Sequence, residues 1–378
     1  MARVKREGSA VKSVAAFLKR EPVLAAAALA ALISCFFVPP DRGYLDYPDL
    51  RTLALLYCLM TVVAGLRDAG LFDRLAHGLC GRAGSVRRLG TMLVLLSFCS
   101  AMLITNDVAL LTFVPFAAVT LGMARREKAL CRVVVLQTAA ANLGSMLTPV
   151  GNPQNLYLYS HYGYGFGAFV KETFPFWVLS LVLIAAACLL LDRSPISAVP
   201  AEARPLDRKV LRLHLALFAL CLLTVMKLLP WGVLLGLMLA VLLVFDRERL
   251  LKADFMLLLT FLAFFIFAGN LARIPAASAL LRRLLEKRAY LTALLASQVI
   301  SNVPAALLLS GFTDRARDLL LGVNIGGLGT PIASLASLIG MKLYGRTEGA
   351  RPGRFLLEFT AVNLILLLLL SLAKLLTE

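Results

Sequence analysis

Four short polar segments interrupt an otherwise apolar chain, and they hold the residues able to do chemistry. They are Thr105-Asn106-Asp107, Thr148-Pro149-Val150-Gly151-Asn152-Pro153-Gln154-Asn155, Ser301-Asn302-Val303, and Thr330-Pro331-Ile332-Ala333-Ser334 with Ser337 just beyond. Their side chains are mainly hydroxyls and amides, which donate and accept hydrogen bonds, and such oxygens suit a hard cation such as sodium. Asn106 and Asn302 read as ligands of a substrate or of sodium, or as caps of the turns they occupy; the two roles are compatible. Asp107 is the one acid in these segments. It can coordinate sodium, carry a coupled proton, or N-cap the apolar run Val108–Gly122. A fixed negative charge there opposes an anion, so its charge state matters. Gly151 and Gly329 free the backbone for unusual dihedrals. Thr148, Thr330, Ser334 and Ser337 offer hydroxyls, and Asn152, Gln154 and Asn155 offer amides; for Ser334 and Ser337, close helix contact through small residues is the alternative. His77, His161 and His214 are scattered and make no metal site. There is neither a nucleophile–base pair nor a G-x-x-x-x-G-K-[ST] loop, which argues against an intramembrane enzyme and an ATP-driven device.

The elements that must position these residues are membrane helices. Of 378 residues, 60% are hydrophobic and 16% charged, whereas a soluble domain carries about 25% charged residues. Apolar runs lie at Val23–Val38, Leu53–Leu66, Leu89–Ile104, Val108–Gly122, Val133–Leu147, Phe174–Leu191, Leu213–Leu229, Trp231–Phe245, Phe255–Ala268, Leu291–Ile300, Ala305–Gly311, Leu319–Leu328, Ile332–Leu343 and Phe355–Ala373. Several are too short to cross a hydrocarbon core of about 30 Å. Leu89–Ile104 and Val108–Gly122 have basic outer ends, and Thr105-Asn106-Asp107 joins their inner ends. They form two short full spans or a re-entrant hairpin; shortness and the polar tip favour the hairpin. Non-helical backbone at that depth persists only where it is buried in protein or lines a wet cavity. Val133–Leu147 runs into two prolines and a glycine, which predicts a helix broken in mid-membrane. Broken helices aim N-termini at anions and unwound carbonyls at cations.

The second half repeats this order. Ile300-Ser301-Asn302-Val303-Pro304-Ala305 matches Ile104-Thr105-Asn106-Asp107-Val108-Ala109 at an offset of 196. Asn324-Ile325-Gly326-Gly327-Leu328-Gly329-Thr330-Pro331 matches Asn142-Leu143-Gly144-Ser145-Met146-Leu147-Thr148-Pro149 at an offset of 182, which aligns Asn152 with Ser334 and Asn155 with Ser337. The run Leu213–Leu229 has no partner, so one extra crossing inverts the second half. The expected fold is an all-α polytopic membrane protein of two inverted-topology repeats, each with a re-entrant hairpin and a broken transmembrane helix, about nine spans plus two hairpins. The expected parts are a cytoplasmic basic N-terminus over 1–21, a first repeat over 22–191, a linker and extra span over 192–230, and a second repeat over 231–378.

The charges set an orientation. Lys and Arg number 39 against 22 acids, a net +17, and they cluster in loops in the positive-inside pattern. They have no aromatic-rich basic face of the kind nucleic acid needs. With the N-terminus inside, 39–51 and 161–173 lie outside, and 67–88, 192–212, 246–254 and 342–354 lie inside. The segment Arg273–Arg288 carries five basic residues and one Glu yet falls outside; such a stretch suits an interfacial helix. Lys227 and Lys374 lie near span ends and read as snorkelling, and Trp177 and Trp231 as belt residues. Glu358 reads as interfacial. Seven cysteines without a C-x-x-C pair read as small buried hydrophobes, and the first apolar run as a retained anchor rather than a cleaved signal.

At Leu103-Ile104-Thr105-Asn106-Asp107-Val108-Ala109-Leu110, at Thr148 to Asn155, at Ser301 to Ala305 and at Gly322 to Ser334, the chain resembles the ion transporter superfamily. That group includes divalent-anion/sodium symporters, citrate transporters and arsenite permeases; uncharacterised bacterial anion permeases look most alike. The resemblance covers nearly the whole chain. In the dicarboxylate branch each tip reads Ser-Asn-Thr and holds carboxylate and sodium. Here Thr105-Asn106 and Ser301-Asn302 keep the hydroxyl and the amide, while Asp107 and Val303 depart from the third position. The resemblance implies a secondary active transporter of a small anion in the inner membrane, with its N-terminus cytoplasmic. It implies coupling to sodium or protons, and two pseudo-symmetric ion sites completed by Thr148 to Asn155 and Thr330 to Ser337. A sodium/proton antiporter using Asp107 is the alternative, ahead of a channel. No cofactor is expected beyond sodium ions. The expected partners are the small anion and the bilayer, not nucleic acid, with homodimerisation left open.

Overall fold

The computed structural model describes residues 21–80, 83–123, 126–196 and 205–377. The basic tail before residue 21 and Arg82, Arg125 and Arg204 therefore lie outside the described residues. The described chain folds into sixteen α-helices. In order these are α1 (Pro22–Phe37), α2 (Leu50–Asp68), α3 (Leu71–Cys80), α4 (Val86–Ile104), α5 (Asn106–Met123), α6 (Glu127–Gly144), α7 (Pro153–His161) and α8 (Phe166–Cys188). There follow α9 (Arg208–Val225), α10 (Trp231–Phe245), α11 (Phe255–Arg273), α12 (Pro275–Ile300), α13 (Asn302–Ser310), α14 (Ala316–Ile325), α15 (Leu335–Gly345) and α16 (Pro352–Leu376).

The starts follow local chemistry. Asp49, Ser85, Asn152, Asp207, Asp254 and Ser334 sit at N-caps, each side chain accepting a backbone N–H of the first turn. Proline begins α1, α7, α12 and α16, where its missing donor costs nothing. Helix α12 joins two pieces that the sequence separates. The basic stretch and the apolar run Leu291–Ile300 form one helix, bent at Arg288, whose φ/ψ of −148°/51° is not helical.

Among the described residues, six helices are long and apolar enough to cross a membrane: Leu50–Asp68, Val86–Ile104, the stretch Glu127–Leu147, Phe166–Cys188, Phe255–Arg273 and Pro352–Leu376; Pro22–Phe37, Asn106–Gly122 and Trp231–Phe245 are shorter apolar helices. This is a multi-pass membrane architecture. Val86–Ile104 has 19 residues, longer than its apolar core suggested, so length alone does not decide whether it turns back within the bilayer. The stretch Glu127–Leu147 is 89% buried and Phe166–Cys188 only 28%, so α6 is the central post and α8 lies at the rim. Rim helices turn apolar side chains outward, as Phe36 on α1, Val244 on α10 and Leu357 on α16 do; in a bilayer these faces meet lipid.

Ion pairs collect at the two ends of the bundle. At one end Asp68 takes Arg249 at 2.8 Å and Lys252 at 2.7 Å, and Glu358 takes Arg354 at 2.7 Å and Arg132 at 3.4 Å. At the other end Arg273 grips Asp41 at 2.6 Å and Arg317 meets Glu172 at 2.8 Å. The Arg273 guanidinium holds the exposed Asp41 carboxyl below its usual range. The discordant basic stretch thus begins on the face that carries 39–51, the same pairing of segments that the charge scheme assumed.

Two readings need correction. Lys374 does not snorkel. It is 1% exposed, its Nζ lies 2.7 Å from Asp318, and it stands 5.0 Å from the centre of the Tyr290 ring. Trp177 is no belt residue: it sits in mid-α8 and packs on Phe98 and Phe174.

Candidate functional site

The helix breaks arise where the sequence withholds backbone donors. Helix α6 ends at Gly144, and short 3-10 turns, Ser145–Leu147 and Pro149–Gly151, lead to α7. Thr148 and Asn152 are extended there. In the second break α14 ends at Ile325, the turn Pro331–Ala333 follows, and α15 starts at Leu335. Freed carbonyls need donors. In the first break the Asn155 amide supplies them, 3.3 Å from the carbonyls of Ser145, Met146 and Thr148. In the second, Gln298 Nε2 donates to the carbonyls of Gly326 at 2.6 Å and Leu328 at 3.0 Å, and its Oε1 accepts the Thr330 N–H at 3.0 Å. Different residues satisfy the same kind of gap.

The two glycines act differently from each other. Gly329 has φ +96°, a region that L side chains rarely adopt. Gly151 is needed for space instead: a Cβ there would stand 2.0 Å from the Ser145 carbonyl oxygen. The tips are strained as well. Thr105 (φ 72°, ψ 148°) and Ser301 (φ 74°, ψ 154°) are non-glycine residues in a region glycine alone favours, at about 1–3 kcal/mol each. Each is a one-residue link between helices, α4 to α5 and α12 to α13.

Thr148 and Thr330 brace the tips. The Thr148 hydroxyl donates to the Met102 carbonyl, and the Thr330 hydroxyl donates to the Gln298 carbonyl at 3.2 Å. Ser301 Oγ reaches the Ala333 carbonyl at 3.4 Å. Four helices, α5, α7, α13 and α15, begin at this place, and four, α4, α6, α12 and α14, end there. Positive and negative ends of helix dipoles therefore meet in one small volume.

Two residues outside the expected set, Asn142 and Asn324, lie at the centre. Asn142 Oδ1 accepts from Asn106 Nδ2 at 3.1 Å and from the Ser334 hydroxyl at 2.9 Å, while its Nδ2 donates to Ser337 Oγ at 3.2 Å. Asn324 Oδ1 accepts from Asn152 Nδ2 at 3.3 Å, while its Nδ2 donates to Asn155 Oδ1 at 2.7 Å. Each central asparagine holds the broken segment of the other half. Ser145 adds a link, its Oγ donating to the Asn142 carbonyl at 2.9 Å and accepting from Asn152 Nδ2 at 3.0 Å. The sequence did carry the signal: Asn142 and Asn324 open the two segments that match at an offset of 182. No comparable signal marked Gln298, because its counterpart at the offset of 196 is Met102.

Asn106, Asn152, Asn155, Ser334 and Ser337 thus join one network. Asn302 is 3% exposed, and its amide lies against Gly327, where a Cβ would approach within 2.8 Å. Asn106 Oδ1 also accepts the Asp107 N–H at 3.0 Å. Asp107 Oδ1 is buried and has no hydrogen-bond partner among the described residues. A cavity of about 210 Å³ adjoins the network. It is lined at its deep end by Thr105, Asp107 and Asn152, and toward one end of the bundle by Arg67, Lys252 and Asp254. Apolar side chains of α2, such as Leu59 and Val63, form its wall.

Sequence similarity to known proteins assigns the family. The citrate transporter family (CitMHS) profile matches residues 14–314. The inner membrane protein YbiR of Escherichia coli is 32% identical over 321 residues, 82% of this chain and 84% of that protein. An uncharacterised transporter of Methanocaldococcus jannaschii is 31% identical over 310 residues, again 82% and 84%. A shorter match, 34% over 134 residues, covers 35% of this chain and 27% of a silicon efflux transporter of Oryza sativa. These relatives are transporters and membrane proteins, not enzymes. With a helical bundle built to cross a membrane and a family match over most of its length, the chain belongs to the citrate transporter family and is a multi-pass membrane transporter.

Proposed function

We propose that this transporter is a secondary carrier of a small anion, driven by sodium or by protons, in the inner membrane. The observation that supports it best is the polar centre itself. Tip residue Asn106, both helix breaks and the central Asn142 and Asn324 share one buried hydrogen-bonded network beside a cavity. Four helix N-termini at one place favour an anion. Amide, hydroxyl and carbonyl oxygens at the converging C-termini favour a small hard cation.

Two inverted repeats, 22–191 and 231–378 about a linker and extra span at 192–230, rationalise the contacts. The Thr148–Met102 and Thr330–Gln298 bonds correspond at the offsets of the sequence match, as do Asn142–Ser337 and Asn324–Asn155. On this reading α4–α5 and the end of α12 with α13 are re-entrant hairpins. Burial of Asn106 and Asn302 to 4% and 3% exposure supports it, since a loop outside the membrane would be wet. The end bearing Arg249, Lys252 and Arg354 is cytoplasmic by the positive-inside rule, as is the N-terminus. The cavity then opens inward, and access alternates as hairpins move against the scaffold.

One feature favours a second reading. The unpaired Asp107 oxygen in the cavity suits a bound cation or proton, as in a sodium/proton antiporter. Uptake into proteoliposomes separates the two. A panel of oxyanions and carboxylates, with silicic acid included because one relative is named for silicon, is offered with and without sodium and pH gradients. Gradient-driven, saturable accumulation of one solute supports the carrier of anions. Cation exchange without any solute supports the antiporter.

A further inference from the structure

We propose that the bundle end bearing Arg354 holds a site for the phosphate of an anionic phospholipid. A cavity of about 670 Å³ lies there, where the starts of α6 and α16 meet the turn that follows α8; the three helices pack on one another. Arg126 just before α6, Lys128 and Arg132 on α6 and Arg354 on α16 line it, against two acids, Glu127 and Asp192. Asp192 is occupied within its own turn, accepting the Ser194 hydroxyl at 2.7 Å and its N–H at 3.0 Å. Glu358 anchors two of the cations, Arg354 at 2.7 Å and Arg132 at 3.4 Å. Guanidiniums fixed in this way are pre-organised for a phosphodiester, which they bind with paired N–H donors.

The rim selects a lipid over a soluble phosphate. Leu189 is 64% exposed, Leu190 78% and Leu357 75%. Leu190 also lines the cavity, and Leu357 follows Arg354 by one helical turn. Cations on one side and bare aliphatic chains on the other match a headgroup joined to acyl chains, as in basic pockets between transmembrane helices. Helix α6 runs from this pocket to Asn142 at the polar centre, so an occupant steadies the post that carries the site.

Native mass spectrometry of the delipidated full-length protein, titrated with phosphatidylglycerol, phosphatidylcholine or inorganic phosphate, tests the proposal. Phosphatidylglycerol should be retained and raise the unfolding temperature, while phosphatidylcholine and inorganic phosphate should do neither. Arg132→Gln with Arg354→Gln should weaken phosphatidylglycerol retention by roughly 30-fold, at about fivefold per cation. The charge-preserving pair Arg132→Lys with Arg354→Lys should keep most of it, which separates lost charge from lost folding. Equal retention of phosphatidylcholine, stabilisation by inorganic phosphate alone, or undiminished retention in the double Gln variant would overturn it.

Discussion

Asn142 and Asn324 tie the tip, the breaks and the two halves together, and neither can be removed alone without stranding partners. Asn142→Ala leaves Asn106 Nδ2, Ser334 Oγ and Ser337 Oγ without their shared amide, and a stranded buried polar group costs about 1–3 kcal/mol. The expected outcome for Asn142→Ala or Asn324→Ala is a lowered unfolding temperature, insertion preserved, and uptake reduced by roughly tenfold or more. A variant with normal uptake kinetics would remove that residue from the site. For Asp107 the measurement is the dependence of uptake on pH and sodium. With its Oδ1 unpartnered in the cavity wall, Asp107→Asn should shift that dependence while the protein stays folded; an unchanged profile would leave Asp107 a helix-start residue only. Much of this centre was legible in the chain, since both asparagines stand in matched segments around Thr-Pro. Gln298 was not legible, because what it satisfies is a set of carbonyls that exists only after the second break has formed. The surroundings of Lys374 and Trp177 are not legible for a related reason: their partners, Asp318 and Phe98, come from distant segments that periodicity cannot bring near.

At the scale of elements, the breaks depend on close backbone approach as much as on proline. Gly151→Ala would drive a methyl to 2.0 Å from the Ser145 carbonyl oxygen, backbone that cannot swing aside as a side chain can. A sharp drop in folded protein recovered from membranes is expected, larger than for the exposed and uncrowded Gly167→Ala on α8. Equal recovery of the two would mean that the first break is looser than described. The apolar runs marked the helices well because burial in lipid and burial in protein both demand apolar side chains. Their ends were less legible: Val86–Arg88 extends α4, and Pro275–Lys287 fuses with the run after it through the bend at Arg288.

For the whole molecule, orientation decides which way the cavity faces. The Arg273–Asp41 pair joins two segments at one end, the end that the proposed orientation puts outside. Arg282→Cys, on the same basic stretch, should react with a membrane-impermeant maleimide added to intact cells. Labelling only after the cytoplasmic side is exposed would invert the proposed topology and turn the cavity outward.

On the proposed reading, the buried asparagine network binds a solute during gradient-driven transport. The most direct test is uptake into proteoliposomes by the unmodified chain beside Asn106→Ala and Asn302→Ala, under imposed sodium and proton gradients. Saturable accumulation of a small anion by the unmodified protein is expected, collapsing when the gradient is dissipated and lost in both variants despite normal reconstitution. Undiminished accumulation in both variants would contradict it.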